Sequence, residues 1–101
     1  MITGTTASGF EYSVNPGIVY DAKYIKASVK LRDKKSDDNA RAEAAFSMID
    51  AVFSNDDEQI ERLMQHLAIQ SPTGRTDVRA LIREVNEIVE AIMEADDGAK
   101  K

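Results

Sequence analysis

The chain has 101 residues, 43% of them hydrophobic, with Ile, Leu, Val and Phe numbering 23, enough for one packed core and too many for a disordered chain. Thirteen basic against eighteen acidic residues leave a net charge of −5, the wrong sign for general binding to duplex DNA or an anionic membrane. Cysteine is absent, which excludes disulfides, thiolate nucleophiles and Cys-ligated zinc. No apolar run approaches the roughly 20 residues that span a bilayer, and no signal peptide opens the chain.

Ile2 to Ala7 is threonine-rich, Ser8-Gly9 signals a turn, and Phe10 to Val14 alternates apolar with polar residues. That pattern predicts a hairpin over 2–14 with Phe10, Tyr12 and Val14 on one face. Asn15-Pro16-Gly17 breaks the second strand. Residues 18–32 fit two periods. Ile25, Ala27, Val29 and Leu31 alternate with polar residues as in a strand. Read as a helix, the segment carries two stripes, Ala22–Ile25–Val29 and Tyr20–Tyr24–Ala27–Leu31. Asp21 suits an N-cap and the Lys and Ala content favours a helix, which is the reading adopted here.

A polar connector, Asp33 to Asn39, leads to a helix from about Asp38 to Phe53. Its expected core stripe is Ala42, Ala45, Phe46, Ile49, Val52 and Phe53, with Met48 off the edge. Asn55 with Glu58 reads as a capping box for a third helix reaching about Ile69 and burying Ile60, Leu63, Met64 and Leu67. Ser71 to Gly74 is a turn. Thr76 is the expected cap of a last helix whose Val78, Leu81, Ile82, Val85, Ile88, Val89 and Ile92 recur every three or four residues. The expected architecture is mainly α (α+β), an N-terminal β-hairpin packed on a small bundle of three to four helices. It forms one domain over 1–95, with the helical part at 18–95 and a flexible tail at 96–101.

Chemistry-bearing patterns are sparse. His66 lacks a metal-ligating partner one turn away, since Ile69 and Gln70 stand there. The acidic clusters fall at helix ends, where capping explains them. Phosphate-loop and nucleophile-elbow motifs do not occur, so no catalytic, cofactor-binding or metal residue is expected, and no cofactor. Residues 21–35 hold six basic and two acidic residues, and Lys23, Lys26 and Lys30 would line one helix face. That face is a nucleic-acid option, with a plain solvated surface the stronger reading. Apolar residues at stripe edges, Tyr24, Met48, Ile88, Ile92 and Met93, are the candidate partner-binding positions, methionine being well suited to an adaptable surface.

The order of these features resembles a known family. A short hairpin turning at Ser8-Gly9-Phe10 is followed by a segment entered at Asp21 and an apolar helix ending Met48-Ile49-Asp50-Ala51-Val52-Phe53. Then come Gln59 to Leu67, a turn containing Gly74, and a last helix through Glu87-Ile88-Val89-Glu90. Over residues 8–95 this succession resembles the tail assembly chaperones of long-tailed (siphovirus-type) bacteriophages and prophages. Members of that family often carry Gly where Ser54 ends the second helix. The resemblance implies a non-enzymatic protein in the cytoplasm of the bacterial host, missing from the mature virion. Its implied partners are the tape measure protein, which it would keep soluble, and the tail tube protein, which it would help recruit. Self-association is a further option; no membrane and no nucleic-acid partner is expected. The competing readings are a structural tail or head–tail component of a phage particle, and a small nucleic-acid-binding regulator using Lys23, Lys26 and Lys30.

Overall fold

The computed structural model describes residues 1–35 and 37–99, with side chains through residue 95. Strands β1 (Ile2–Thr5) and β2 (Glu11–Val14) pair antiparallel, with Ile2 opposite Val14 and Gly4 opposite Tyr12. The loop between them is set by backbone chemistry. Gly9 N–H donates to the Thr6 carbonyl at 2.9 Å, Thr6 N–H donates to the Phe10 carbonyl at 2.9 Å, and Gly9 has φ +97°. A three-residue turn of this kind needs a left-handed residue in that place, which glycine supplies without strain. Phe10, Tyr12 and Val14 are all buried, as the alternation predicts.

Pro16–Tyr20 forms one 3-10 turn, entered through Asn15, whose side chain accepts from Gly17 N–H at 2.9 Å. Four helices follow: α1 (Ala22–Arg32), α2 (Asp38–Val52), α3 (Asp57–Gln70) and α4 (Val78–Ala99). Asp21 caps α1 by accepting from Lys23 N–H at 2.8 Å, so the helical reading of this segment holds. Asp37 caps α2 in the same way through Ala40 N–H. The architecture is therefore α+β, a hairpin on a helical body.

Three local expectations need correcting. The cap of α3 is Asp56, which accepts from Gln59 N–H at 3.2 Å, while Asn55 lies in the preceding turn at φ 61°. Before α4, Asp77 rather than Thr76 accepts from a first-turn amide, Arg79 N–H at 2.8 Å. Thr76 instead donates its hydroxyl to the Met64 carbonyl at 2.6 Å. Adjacent residues with equivalent capping groups compete, and here the carboxylate wins in both cases. The apolar face of α2 is also turned. Met48 is 1% exposed and joins Ala44, Ala45, Ile49, Val52 and Phe53 in the core, whereas Phe46 is 47% exposed and Ala42 faces out. Helix α2 packs on α1 as well as on α4 and α3, so its buried arc extends round to Ala44 and Met48 and leaves Phe46 on the far side.

The α2–α3 turn closes with the paired bonds of a Schellman motif. Asn55 N–H donates to the Asp50 carbonyl at 2.8 Å and Ser54 N–H to the Ala51 carbonyl at 3.1 Å. Ser54 holds φ 52° at the position where glycine is usual. Helix α4 supplies the core's longest stripe: Leu81, Val85, Ile88 and Ile92 are essentially sealed from solvent and Val89 nearly so. Each such side chain stabilises the fold by roughly 1.5–3 kcal/mol. The residues expected to begin a flexible tail, 96–99, continue α4, because extending an existing helix fixes one residue per added hydrogen bond. Lys100 and Lys101 lie outside the described residues.

Candidate functional site

Buried polar groups gather at the tip of the hairpin. Thr6 and Ser8 both donate their hydroxyls to Glu84 Oε1 of α4, and the two hydroxyl oxygens stand 3.1 Å apart. Ala7 N–H donates to Glu87 Oε2 at 2.7 Å. From α3, Gln70 Nε2 donates to the Ser8 carbonyl at 2.8 Å, and His66 Nε2 lies 3.1 Å from that carbonyl and 3.1 Å from Ser8 Oγ. The His66 ring packs on Phe10, with centroids 5.7 Å apart and planes tilted by 50°.

A serine, a histidine and a glutamate in contact invite comparison with a nucleophilic triad, and the geometry argues otherwise. In a triad the imidazole takes the serine proton while the acid orients the imidazole. Here the Ser8 hydroxyl donates its hydrogen bond directly to Glu84. His66 makes its polar contacts through Nε2, to the Ser8 hydroxyl and carbonyl and to Gln70 Nε2, while Glu84 accepts from Thr6 and Ser8 rather than from the imidazole, so the carboxylate does not orient the ring. The cluster is a clamp that fixes the hairpin loop to α3 and α4. His66 is partly exposed on its helix, and of its neighbours only Gln70 is near it in the chain, Ser8 being 58 positions away.

Helices α1 and α2 enclose an open groove of about 630 Å³. Lys23, Lys26 and Lys30 contribute to it from α1, and Glu43, Ser47 and Asp50 from α2, with Asp21 nearby. The three lysines thus share one surface, as the helical spacing predicts, but carboxylates share it with them. Among the described residues no three His, Asp or Glu side chains converge to hold a metal ion. No described helix is long and apolar enough to cross a membrane.

Of the five apolar residues singled out as partner-binding, four belong to the core. Tyr24, Met48, Ile88 and Ile92 are buried, and only Met93, at 45%, meets solvent. Edge positions on an isolated helical wheel became interior once a second helix covered them. The exposed apolar surface lies elsewhere. Tyr20 is 65% exposed, and Ile25 and Val29, one turn apart on α1, are 46% and 56% exposed. With Ala22 these form the stripe on the outer side of α1, opposite Tyr24, Ala27 and Leu31, which pack into the core. The sequence did carry that signal: α1 has two apolar stripes, and one neighbouring body buries only one of them. No family model matches the chain, and neither a curated protein nor a solved structure does.

Proposed function

We propose that the chain is a non-enzymatic assembly chaperone of the phage-tail kind. In this reading it binds the tape measure protein of a long-tailed phage in the host cytoplasm, keeps it soluble and helps recruit tail tube subunits. The observation that supports the reading best is the outward stripe Ala22–Ile25–Val29 on α1, with Tyr20 beside it. A helix face left apolar on a charged body suits transient capture of an amphipathic client helix through anchors one turn apart. Lys23, Lys26, Lys30 and Arg32 stand along the same helix and supply the polar rim expected of a reversible interface. The carboxylates sharing the α1–α2 groove with the lysines weaken its attraction for phosphate, which disfavours the nucleic-acid reading.

The test is co-expression with the cognate tape measure protein, scoring its soluble fraction. The wild-type chain raises it, and Ile25→Glu with Val29→Glu removes the gain while the helical circular dichroism and melting temperature stay near wild type. No gain from the wild-type chain, or an undiminished gain from the double variant, refutes the reading. Mass spectrometry of purified particles separates it from a structural tail or head–tail component, which would remain in the virion.

A further inference from the structure

The two edges of the hairpin are treated differently. On β2 the outward backbone groups of Ser13 are both occupied, because the buried Gln59 amide accepts from Ser13 N–H at 2.8 Å and donates to the Ser13 carbonyl at 2.9 Å. Since Ser13 points away from β1, its partner Thr3 also points away, and so does Thr5 two residues on. The Thr6 N–H bond to the Phe10 carbonyl fixes the same alternation from the other end. The N–H and C=O groups of Thr3 and Thr5 therefore form an open edge, and both residues are exposed.

The geometry points to this edge pairing antiparallel with β1 of a second copy of the chain, joining two hairpins into one four-stranded sheet. Three features favour a second copy over a foreign strand. A two-fold axis at Gly4 places Thr3 against Thr5 of the partner subunit and repeats that pair on the other side, and since both positions are threonine each is a favourable Thr–Thr cross-strand pair. In that register the outward groups meet as reciprocal hydrogen-bonded pairs. Gly4 meets its own copy at the narrow pair, where backbones approach to about 4.5 Å between Cα atoms. A side chain at Gly4 would run into the ring of its own cross-strand neighbour, Tyr12, which covers the glycine on the core side. Charge agrees as well. Glu11 stands across from Thr5 on one hairpin, so the row through the axis runs Glu11, Thr5, then threonine and serine, with no like charges adjacent. Strand β1 also lacks the lysine, proline or bulge with which proteins guard an edge against such pairing. This inference stands apart from the chaperone reading and uses a different surface.

Sedimentation equilibrium from micromolar to millimolar concentration tests it. The wild-type chain moves from 11.2 kDa toward twice that mass as concentration rises. Thr5→Pro removes an outward donor that the monomer does not use, and weakens dimerisation by about tenfold or more, since one bond is lost from each copy. Thr3→Lys with Thr5→Lys, on the exposed face, keeps the backbone intact and places like charges opposite one another, giving the same loss should the proline variant fold poorly. Ile25→Glu with Val29→Glu leaves the dimer unchanged. A wild-type chain that stays monomeric at millimolar concentration overturns the proposal, including the case in which it captures an unrelated extended peptide instead. A dimer that survives the two lysines, or that dissolves with the α1 substitutions, overturns it too.

Discussion

Replacing Gln59 with methionine isolates what one buried amide contributes to the hairpin. The side chain is 3% exposed and makes two bonds to Ser13, at 2.8 and 2.9 Å, plus a longer one of 3.3 Å to Asp56 Oδ2. Methionine keeps length and volume but can neither accept from Ser13 N–H nor donate to its carbonyl. Both strand groups are partly buried, so each loses about 1–1.5 kcal/mol, and the small apolar gain of methionine offsets part of that. The expected net loss is about 2 kcal/mol, or roughly 8–16 °C in Tm for a domain of this size. Urea unfolding followed by circular dichroism measures it directly, with the m-value checking that the transition stays two-state. Gln59→Glu sharpens the test. It retains an acceptor for Ser13 N–H but turns a carboxylate toward the Ser13 carbonyl and Asp56, which raises the introduced group's folded pKa. Its penalty relative to wild type is therefore absent at low pH and grows as pH rises from the ordinary carboxyl range through that raised value. Should Gln59→Met unfold within about 0.5 kcal/mol of wild type, the amide is incidental to the strand edge and the reasoning fails.

Further expectations concern single sites. Met48→Ala should cost about 2–4 kcal/mol in chemical denaturation and Phe46→Ala under about 0.5, the reverse of what the α2 periodicity alone suggests. Ser54→Gly relieves a left-handed residue at the Schellman position and should stabilise by about 0.5–1 kcal/mol, visible as a higher denaturation midpoint. The Arg79 guanidinium, 3.1 Å from Asp77, together with the Arg79 backbone N–H, holds the Asp77 carboxyl below its usual range. Whatever stability that lowered value confers is present above the ordinary carboxyl range and fades as pH falls through the folded value. Arg79→Gln should move the Asp77 titration upward, as followed by carboxyl-carbon NMR.

Some of this fold is written locally and some is not. The stripe from Val78 to Ile92 needs no tertiary information, because seven apolar residues at spacings of three and four leave one helical solution. The same holds for Phe10, Tyr12 and Val14. At α1 the local pattern offers two apolar stripes, and only the position of α2 decides that Tyr24 and Ala27 turn inward while Ile25 and Val29 stay out. Phe46 and Met48 pose the same choice on α2. Selecting contact residues by their place at a stripe edge consequently picked four core residues. The clamp at Thr6, Ser8, His66 and Glu84 leaves no periodic trace at all, since hydroxyl, imidazole and carboxylate come from three separate elements.

That clamp ties the order of synthesis to the order of folding. Thr6 is fastened by Glu84, 78 positions later, and Ala7 by Glu87, 80 positions later. An emerging polypeptide thus displays its first strand well before the groups that secure it exist, and contacts so distant along the chain form late because of the loop they must close. A fragment cut short before α4 would keep the hairpin and its bonds to α3 yet lose the Glu84 and Glu87 half of its fastening, and its solubility on the ribosome would depend on whatever else occupied that strand in the interval.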